Sequence, residues 1–374
     1  MIAKEEIRLF DQCFNTLSPE NKKVQRKQYL PEGKIPVIDQ GEDFIGGYTN
    51  DHNKQQDADL PVILFGDHTR RFKYVDFPFA VGADGIKILK PIDKTISDKF
   101  AYYQLTQKEL PNKGYSRHYQ FLRKVDFWVP QKRGVQEKIV ETIETQFTRL
   151  DAAIKSLKAI KAKIKLFRIS VLKATFDREW HYDKLGHLFK TTSGGTPSRS
   201  NKKYYTGTIP WLKSGELNDD KHIEDSEEHI TQEAIDNSSA KKFPPNTVMI
   251  ALYGATTGKL GILKKESTTN QAICGIFPQE GYITEFVFYF LLFKRAALIS
   301  QGKGGAQPNI SQGIVKDTDF PKADEKTQRE VIDFVESQLS IIDKISDVVD
   351  ASLAKAEKLR KSILKSAFEG KLVN

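Results

Sequence analysis

QEKIVETIETQFTRLDAAIKSLKAIKAKIKLFRISVLKATF, residues 136–176, contains neither glycine nor proline. Its apolar residues fall at Ile139, Ile143, Phe147, Leu150, Ile154, Leu157, Ile160, Ile164, Phe167 and Val171. Steps of three and four draw an apolar stripe along one side of an α-helix. Forty-odd residues at ~1.5 Å each predict a rod of about 60 Å. The chain then repeats itself. A shift of 192 residues lays Gln136–Phe176 on Gln328–Phe368 without a gap, and 12 of the 41 positions are identical. The identities include Asp151/Asp343, Lys163/Lys355, Arg168/Arg360 and Ser170/Ser362, and SVLKATF (170–176) closes one copy as SILKSAF (362–368) closes the other. Shared heptad composition does not readily produce identical charged and small residues, so the match reads as an internal duplication.

Working outward, looser echoes precede each copy. IPVIDQG (35–41) answers IPWLKSG (209–215), VILFGDHT (62–69) answers VMIALYGATTG (248–258), and FAYYQL (100–105) answers FVFYFL (286–291). The order is globular unit, long helix, globular unit, long helix. We expect boundaries at 1–133, 134–178, 179–325 and 326–374. A lone helix of this length cannot hide its stripe. The two either pack together as an antiparallel coiled coil, with one globular unit at each end, or fold back on their own units. Cysteines at Ile154 and Ile345 are expected to crosslink if the helices pair. The globular units mix short β-rich runs with helical stretches, an α+β pattern whose variable chemistry sits on loops.

The 374 residues carry a formal net charge of +9, which favours a polyanionic partner. Between Ala152 and Phe176 the first helix has seven basic residues and no acid: Lys155, Lys158, Lys161, Lys163, Lys165, Arg168 and Lys173. They are either a solvated face or a surface for phosphates or an acidic partner. Cys13 and Cys274 lack the spacing of a zinc site or disulfide framework, so a reducing cytoplasm fits. The start, MIAKEEIRLFDQ, has no apolar signal core, and the greasiest run, Phe286–Phe293, is too short for a membrane span.

Chemistry-bearing motifs are scarce. GATTGKL (254–260) falls one residue short of a phosphate-binding loop, and Leu260 stands where a hydroxyl would hold Mg²⁺. FPPN (243–246) is not the motif of an amino-methyltransferase. His222 and His229 sit among acids in what reads as a solvated loop. The polar loops say more. TTSGGTPSRSNKKYY (191–205), GATTGKLG (254–261), TNQA (269–272) and GKGGAQPNIS (302–311) supply amides, hydroxyls and cations. GDHTRRFKY (66–74) and GYSRHYQF (114–121) interleave basic and aromatic residues. Arginine and amide side chains are those that read base edges bidentately, and small residues let backbone approach phosphate.

Over essentially its whole length the chain resembles the specificity subunits of type I restriction–modification systems. The resemblance rests on SGGTPS (193–198), IPWLKSGEL (209–217), GATTGKLGIL (254–263), TNQAICGI (269–276), GGAQPNIS (304–311), FGDHTRRFKYVDFPFAVGADGIKIL (65–89) and YSRHYQF (115–121). It implies two α/β target recognition domains separated by two long antiparallel helices in a coiled coil, with an internal pseudo-two-fold repeat. Each domain would read half of a split double-stranded DNA target. The helices would set the spacing and dock two methyltransferase subunits. Restriction subunits would join, in a host-defence assembly. S-adenosylmethionine, ATP and Mg²⁺ would bind those partners, leaving this chain without catalysis or cofactor. The expected DNA-binding residues are Thr69, Arg70, Arg71, Lys73, Tyr115, Arg117, His118 and Tyr119 in the first unit. In the second they are Thr196, Ser198, Arg199, Lys213, Thr256, Thr257, Lys259, Asn270, Gln307 and Asn309. The first unit departs from the pattern: IGGYTN (45–50) has two glycines but no SGGTPS proline. A coiled-coil DNA-binding scaffold without methyltransferase partners, and a nuclease or NTPase, are the competing classes.

Overall fold

The computed structural model describes residues 7–19, 22–82, 85–114, 116–302, 309–369 and 371. The chain divides into two compact units, Met1–Lys158 with Asp350–Asn374, and Ala159–Val349. Two 44-residue helices, Arg133–Phe176 and Glu325–Phe368, each contribute one part to each unit.

In the first unit, an antiparallel sheet runs in the order Phe14–Leu17, Ile86–Pro91, Val62–Gly66, Phe72–Val75. Val62–Gly66 is buried along its full length, as its β-branched and aromatic composition suits. A second sheet is ordered Lys23–Val24, Ala80–Gly82, Ile35–Ile38, Gly47–Thr49, and its Ile35–Ile38 strand runs parallel to Ala80–Gly82. Ile7–Leu9 and Asp126–Trp128 form an antiparallel ribbon next to the long helix.

The second unit repeats the plan. Its larger sheet is ordered Thr191–Ser193, Ile273–Ile276, Val248–Ala251, Leu260–Leu263, Asp220–Ile223. In the smaller one, Ile209–Leu212 runs parallel to Ser267–Thr269, as Ile35–Ile38 does to Ala80–Gly82. His181–Lys184 and Asp319–Lys322 form the matching ribbon. The echoed phrases thus occupy equivalent elements, and FAYYQL and FVFYFL lie in the helices Asp98–Gln107 and Thr284–Ser300.

Within each unit the long helices pack antiparallel on each other. In the first, Leu150, Ala356 and Ile363 form a buried cluster with Phe147 and Ile154, and Arg360 pairs with Asp151. In the second, Arg168 pairs with Asp343. These ion pairs join the very residues that the repeat shows as identical. Each pair's residue numbers sum to 511, so position n faces position 511 − n. Ile154 is therefore level with Glu357, and Ile345 with Leu166. The expected crosslink between Ile154 and Ile345 is corrected: the stripe gave the face but not the register.

Each helix pair is also plugged into its head. Phe368 meets Phe100 at 5.3 Å between ring centroids in the first unit, and Phe176 meets Phe286 at 5.6 Å in the second. Phe320 closes the second core against Phe189, Tyr282, Phe286 and Phe290. Cys13 and Cys274 are free and buried, and burial pushes their thiols up to about 11 and about 12. Neither forms a reactive thiolate at neutral pH. Among the described residues no helix is long and apolar enough to cross a membrane, and no cluster of His, Cys, Asp or Glu is arranged to hold a metal.

Candidate nucleic-acid interface

In the second unit the SGGTPS, KSG, GATTG and TNQA loops are tied to one another by hydrogen bonds. Gly194 and Gly195 begin the first loop because backbone crosses them closely: a Cβ on Gly195 would lie 2.3 Å from the Ser239 carbonyl. That approach lets the Gly195 carbonyl accept the Trp211 indole N–H at 2.9 Å, while Tyr205 donates to the Pro197 carbonyl at 2.7 Å. Thr196 bonds Gln271, which ties in the TNQA loop. The Asn270 N–H reaches the Leu212 carbonyl at 2.9 Å, and Thr256 donates to the Ser214 carbonyl at 2.7 Å. Thr196, Ser198, Arg199, Lys213, Thr256 and Asn270, all expected from sequence, are thereby brought together.

Arg199 is the centre of this face. Its guanidinium lies 4.3 Å from the Tyr205 ring centroid and 4.7 Å from that of Trp211. Its outer edge forks onto the Glu228 carboxylate. Lys213 donates to Glu228 at 3.1 Å and to Glu227 at 3.0 Å. The Arg199 hydrogen bond, outweighing slight burial and aided by Lys213, holds the Glu228 carboxyl below the usual carboxylate range.

Thr257 and Lys259 serve the loop itself. Thr257 donates to the Gly254 carbonyl at 2.7 Å. Lys259 lies 3.0 Å from Asp219, which also takes Arg295 and the Leu260 N–H. Burial raises the Asp219 carboxyl, but these donors outweigh it and leave the group below its ordinary 3.8. The sign follows: Asp219 contributes stability above that value, and the contribution is lost as pH falls through the lower folded-state value. Asp219→Asn is expected to cost about 1.5–3 kcal/mol at neutral pH. Thermal melts of the two proteins should converge in strong acid; a constant gap would contradict the charge-based account. Asn309 is exposed beside Ile310, whose N–H donates to the Leu252 carbonyl at 2.8 Å. Gln307 and Tyr115 lie outside the described residues.

In the first unit, the Gly66–Arg71 turn and the segment 116–119 meet at Asp67. His118 donates its backbone N–H to the Asp67 carbonyl at 2.9 Å, and the Tyr119 N–H meets the Asp67 carboxylate at 2.6 Å. Tyr119 also bonds the Thr16 hydroxyl at 2.7 Å, with Lys87 over its ring. Thr69, Arg71 and Arg117 are exposed. Arg70 is half-buried in a left-handed conformation (φ 60°), donating to the Leu110 carbonyl at 3.2 Å. His118 and Lys73 face inward. Lys73 is buried and reaches the Asp43 carbonyl at 2.5 Å. Burial, partly offset by Asp39, lowers its amine. Both are structural, not surface, groups: Lys73 alternates with Phe72 and Tyr74 on a strand whose other face is less covered.

Sequence reading missed Asp67, Glu228 and Trp211. The acidic run EDSEEHI (224–230) was the available signal for Glu228, but it was read as solvated. His229 does bond Asp225 there, at 2.8 Å.

Residues 177–350 match the type I restriction modification DNA specificity domain (Methylase_S). The match lies on the second head, the one with the complete SGGTPS loop. The specificity subunit of the type I restriction enzyme EcoR124I/EcoR124II of Escherichia coli is 26% identical over 343 residues, covering 87% of this chain and 84% of that protein. The HsdS subunit from Thermoanaerobacter tengcongensis superposes with a TM-score of 0.54 at 14% identity, over 98% of this chain and 97% of that one. A chain from a structure describing complex assembly and conformational transition of the type I R-M system superposes with a TM-score of 0.69 at 12% identity, over 97% and 99%. At such identities the two structures bear on the fold alone. By these findings residues 177–350 carry a type I restriction modification DNA specificity domain, and over most of its length the chain is similar to a type I restriction enzyme specificity subunit.

Proposed function

We propose that this chain binds a bipartite DNA target, one half-site per head, and acts in the cytoplasm as a non-catalytic subunit. The observation that carries the reading is the single face on which the SGGTPS, KSG, GATTG and TNQA loops are tied around Arg199. Three physical effects combine. Cations on the heads neutralise phosphates and supply salt-sensitive affinity. Loop side chains contact base edges. The helices set the spacing. The direct contacts are Thr69, Arg71, Arg117 and Tyr119 for one half-site, with Arg70 at the turn. For the other they are Thr196, Ser198, Arg199, Lys213, Asn270, Gln307 and Asn309, with Thr256, Thr257 and Lys259 shaping the loop.

The helices also offer a docking surface for two methyltransferase subunits, with restriction subunits joining the assembly. Support comes from the second unit, where Phe334, Ile341, Ile345 and Val348 form an exposed stripe on one side of the second long helix. A groove of about 910 Å³ between the two helices and Thr284–Ser300 adds Ile169, Leu172, Phe293 and Leu339. S-adenosylmethionine, ATP and Mg²⁺ belong to the partners.

Arg199→Ala should weaken binding by about 1–3 kcal/mol and relax the sequence preference of one half-site only; Arg117→Ala should do the same for the other. Selection from randomised duplexes reads this directly. Uniform weakening on all sequences would reject both as base readers.

A further inference from the structure

The carboxylate of Glu228 occupies the donors that the proposed interface needs. Arg199 packs against Tyr205 and Trp211, whose rings meet edge to face beside it, and its other edge is forked onto Glu228. The same carboxylate takes Lys213, and Glu227 takes a second proton of that ammonium. Two cations on the recognition face are thus neutralised before any ligand arrives. An incoming group must therefore compete with Glu228 for the guanidinium.

We propose that Glu228 is a specificity-determining residue that prevents phosphate alone from capturing the recognition face. The inference rests on the DNA-binding reading of this face. A phosphate approaching Arg199 and Lys213 meets the Glu228 negative charge at close range. A base edge is neutral and meets no such repulsion: guanine offers two acceptors to arginine, and cytosine offers an amine that a carboxylate accepts. The carboxylate therefore costs non-specific affinity more than specific affinity, and the ratio between them rises.

The test uses the full chain in its complex and compares Glu228→Gln with wild type on target duplex and on duplex lacking the target. The variant keeps the side chain's size and removes its charge. Non-target affinity should rise about fivefold, and its dependence on salt should steepen by about one phosphate's worth, a change of about 0.9 in the log–log slope. Target affinity should change less, so discrimination falls. Glu227→Gln, which leaves the arginine fork intact, should give a smaller shift in the same direction. Equal losses on both duplexes would show Glu228 to be a structural support only, and unchanged binding on both would equally overturn the proposal. Arg199→Ala and Lys213→Ala are the separate check on the underlying reading. If neither affects any duplex, the face itself does not bind DNA.

Discussion

Seven residues inserted after Lys158, together with seven inserted after Ser352, should lengthen the preferred spacer between half-sites by about three base pairs. Two helical turns add roughly 10 Å at ~1.5 Å per residue, against about 3.4 Å per base pair. The two sites are level under the n to 511 − n register, so Asp151–Arg360 and Arg168–Asp343 both survive the insertion. Seven residues turn an α-helix by nearly two full turns, so each head keeps its azimuth to within about 20°. Three base pairs turn the duplex by about 100°, given roughly 10.5 base pairs per turn, so the new optimum should bind less tightly than the original pair. On the original target, binding should fall toward the non-specific level, a loss of about a thousandfold or more. Binding selection over duplexes of graded spacer length reads the optimum. An unmoved optimum would reject the helices as the ruler. Insertion into the first helix alone is the control: it shifts Arg168 off Asp343 and should disturb the second unit rather than reset the spacer.

What the chain disclosed on reading follows a physical division. Helix period and internal duplication are written in the order of residues, so the long helices and the repeated heads were legible, while antiparallel packing was one of two arrangements the stripe allowed. Register is not local. Asp151, Asp343, Arg168 and Arg360 stood out as identical across the repeat, yet only their positions across the helix pair reveal them as partners. The same gap misplaced the crosslink at Ile154 and Ile345. Loop chemistry was legible by type but not by direction. Lys73 shares a basic and aromatic phrase with Arg70 and Arg71, but strand alternation turns it inward. His118 was expected to contact DNA and is wholly buried. Glu228 lies 29 residues from Arg199, and nothing in either segment alone couples them.

Gln328→Ala should lower the stability of the second unit by about 2–4 kcal/mol, and Gln136→Ala should do the same to the first. These glutamines occupy equivalent places in the repeat, both are 0% exposed, and each joins a head to its long helix. The Gln328 amide accepts the Ile283 N–H at 2.8 Å and donates to the Gly281 and Ala323 carbonyls at 2.7 and 2.9 Å. Gln136 accepts the Ser97 N–H at 2.9 Å and donates to Thr95 and Pro130 at 2.9 and 3.1 Å. Truncation strands one N–H and two carbonyls in each joint, at about 1–3 kcal/mol for each group that water cannot reach. A hydrophobic replacement of similar length, Gln328→Met, should cost as much, because the vacancy is polar and not merely empty. Gln328→Glu separates the two halves of the amide. Its carboxylate still accepts from Ile283 but faces two carbonyls, so the folded protein favours the protonated acid and raises its pKa. A raised carboxylate pKa destabilises above the ordinary range and is relieved below it, so this variant should gain stability as pH falls from neutral toward about 4. Denaturant melts of the four proteins at neutral and acid pH give the comparison. Near-wild-type stability of Gln328→Met would mean that water replaces the amide, and that the joint is held by apolar packing rather than by these three hydrogen bonds.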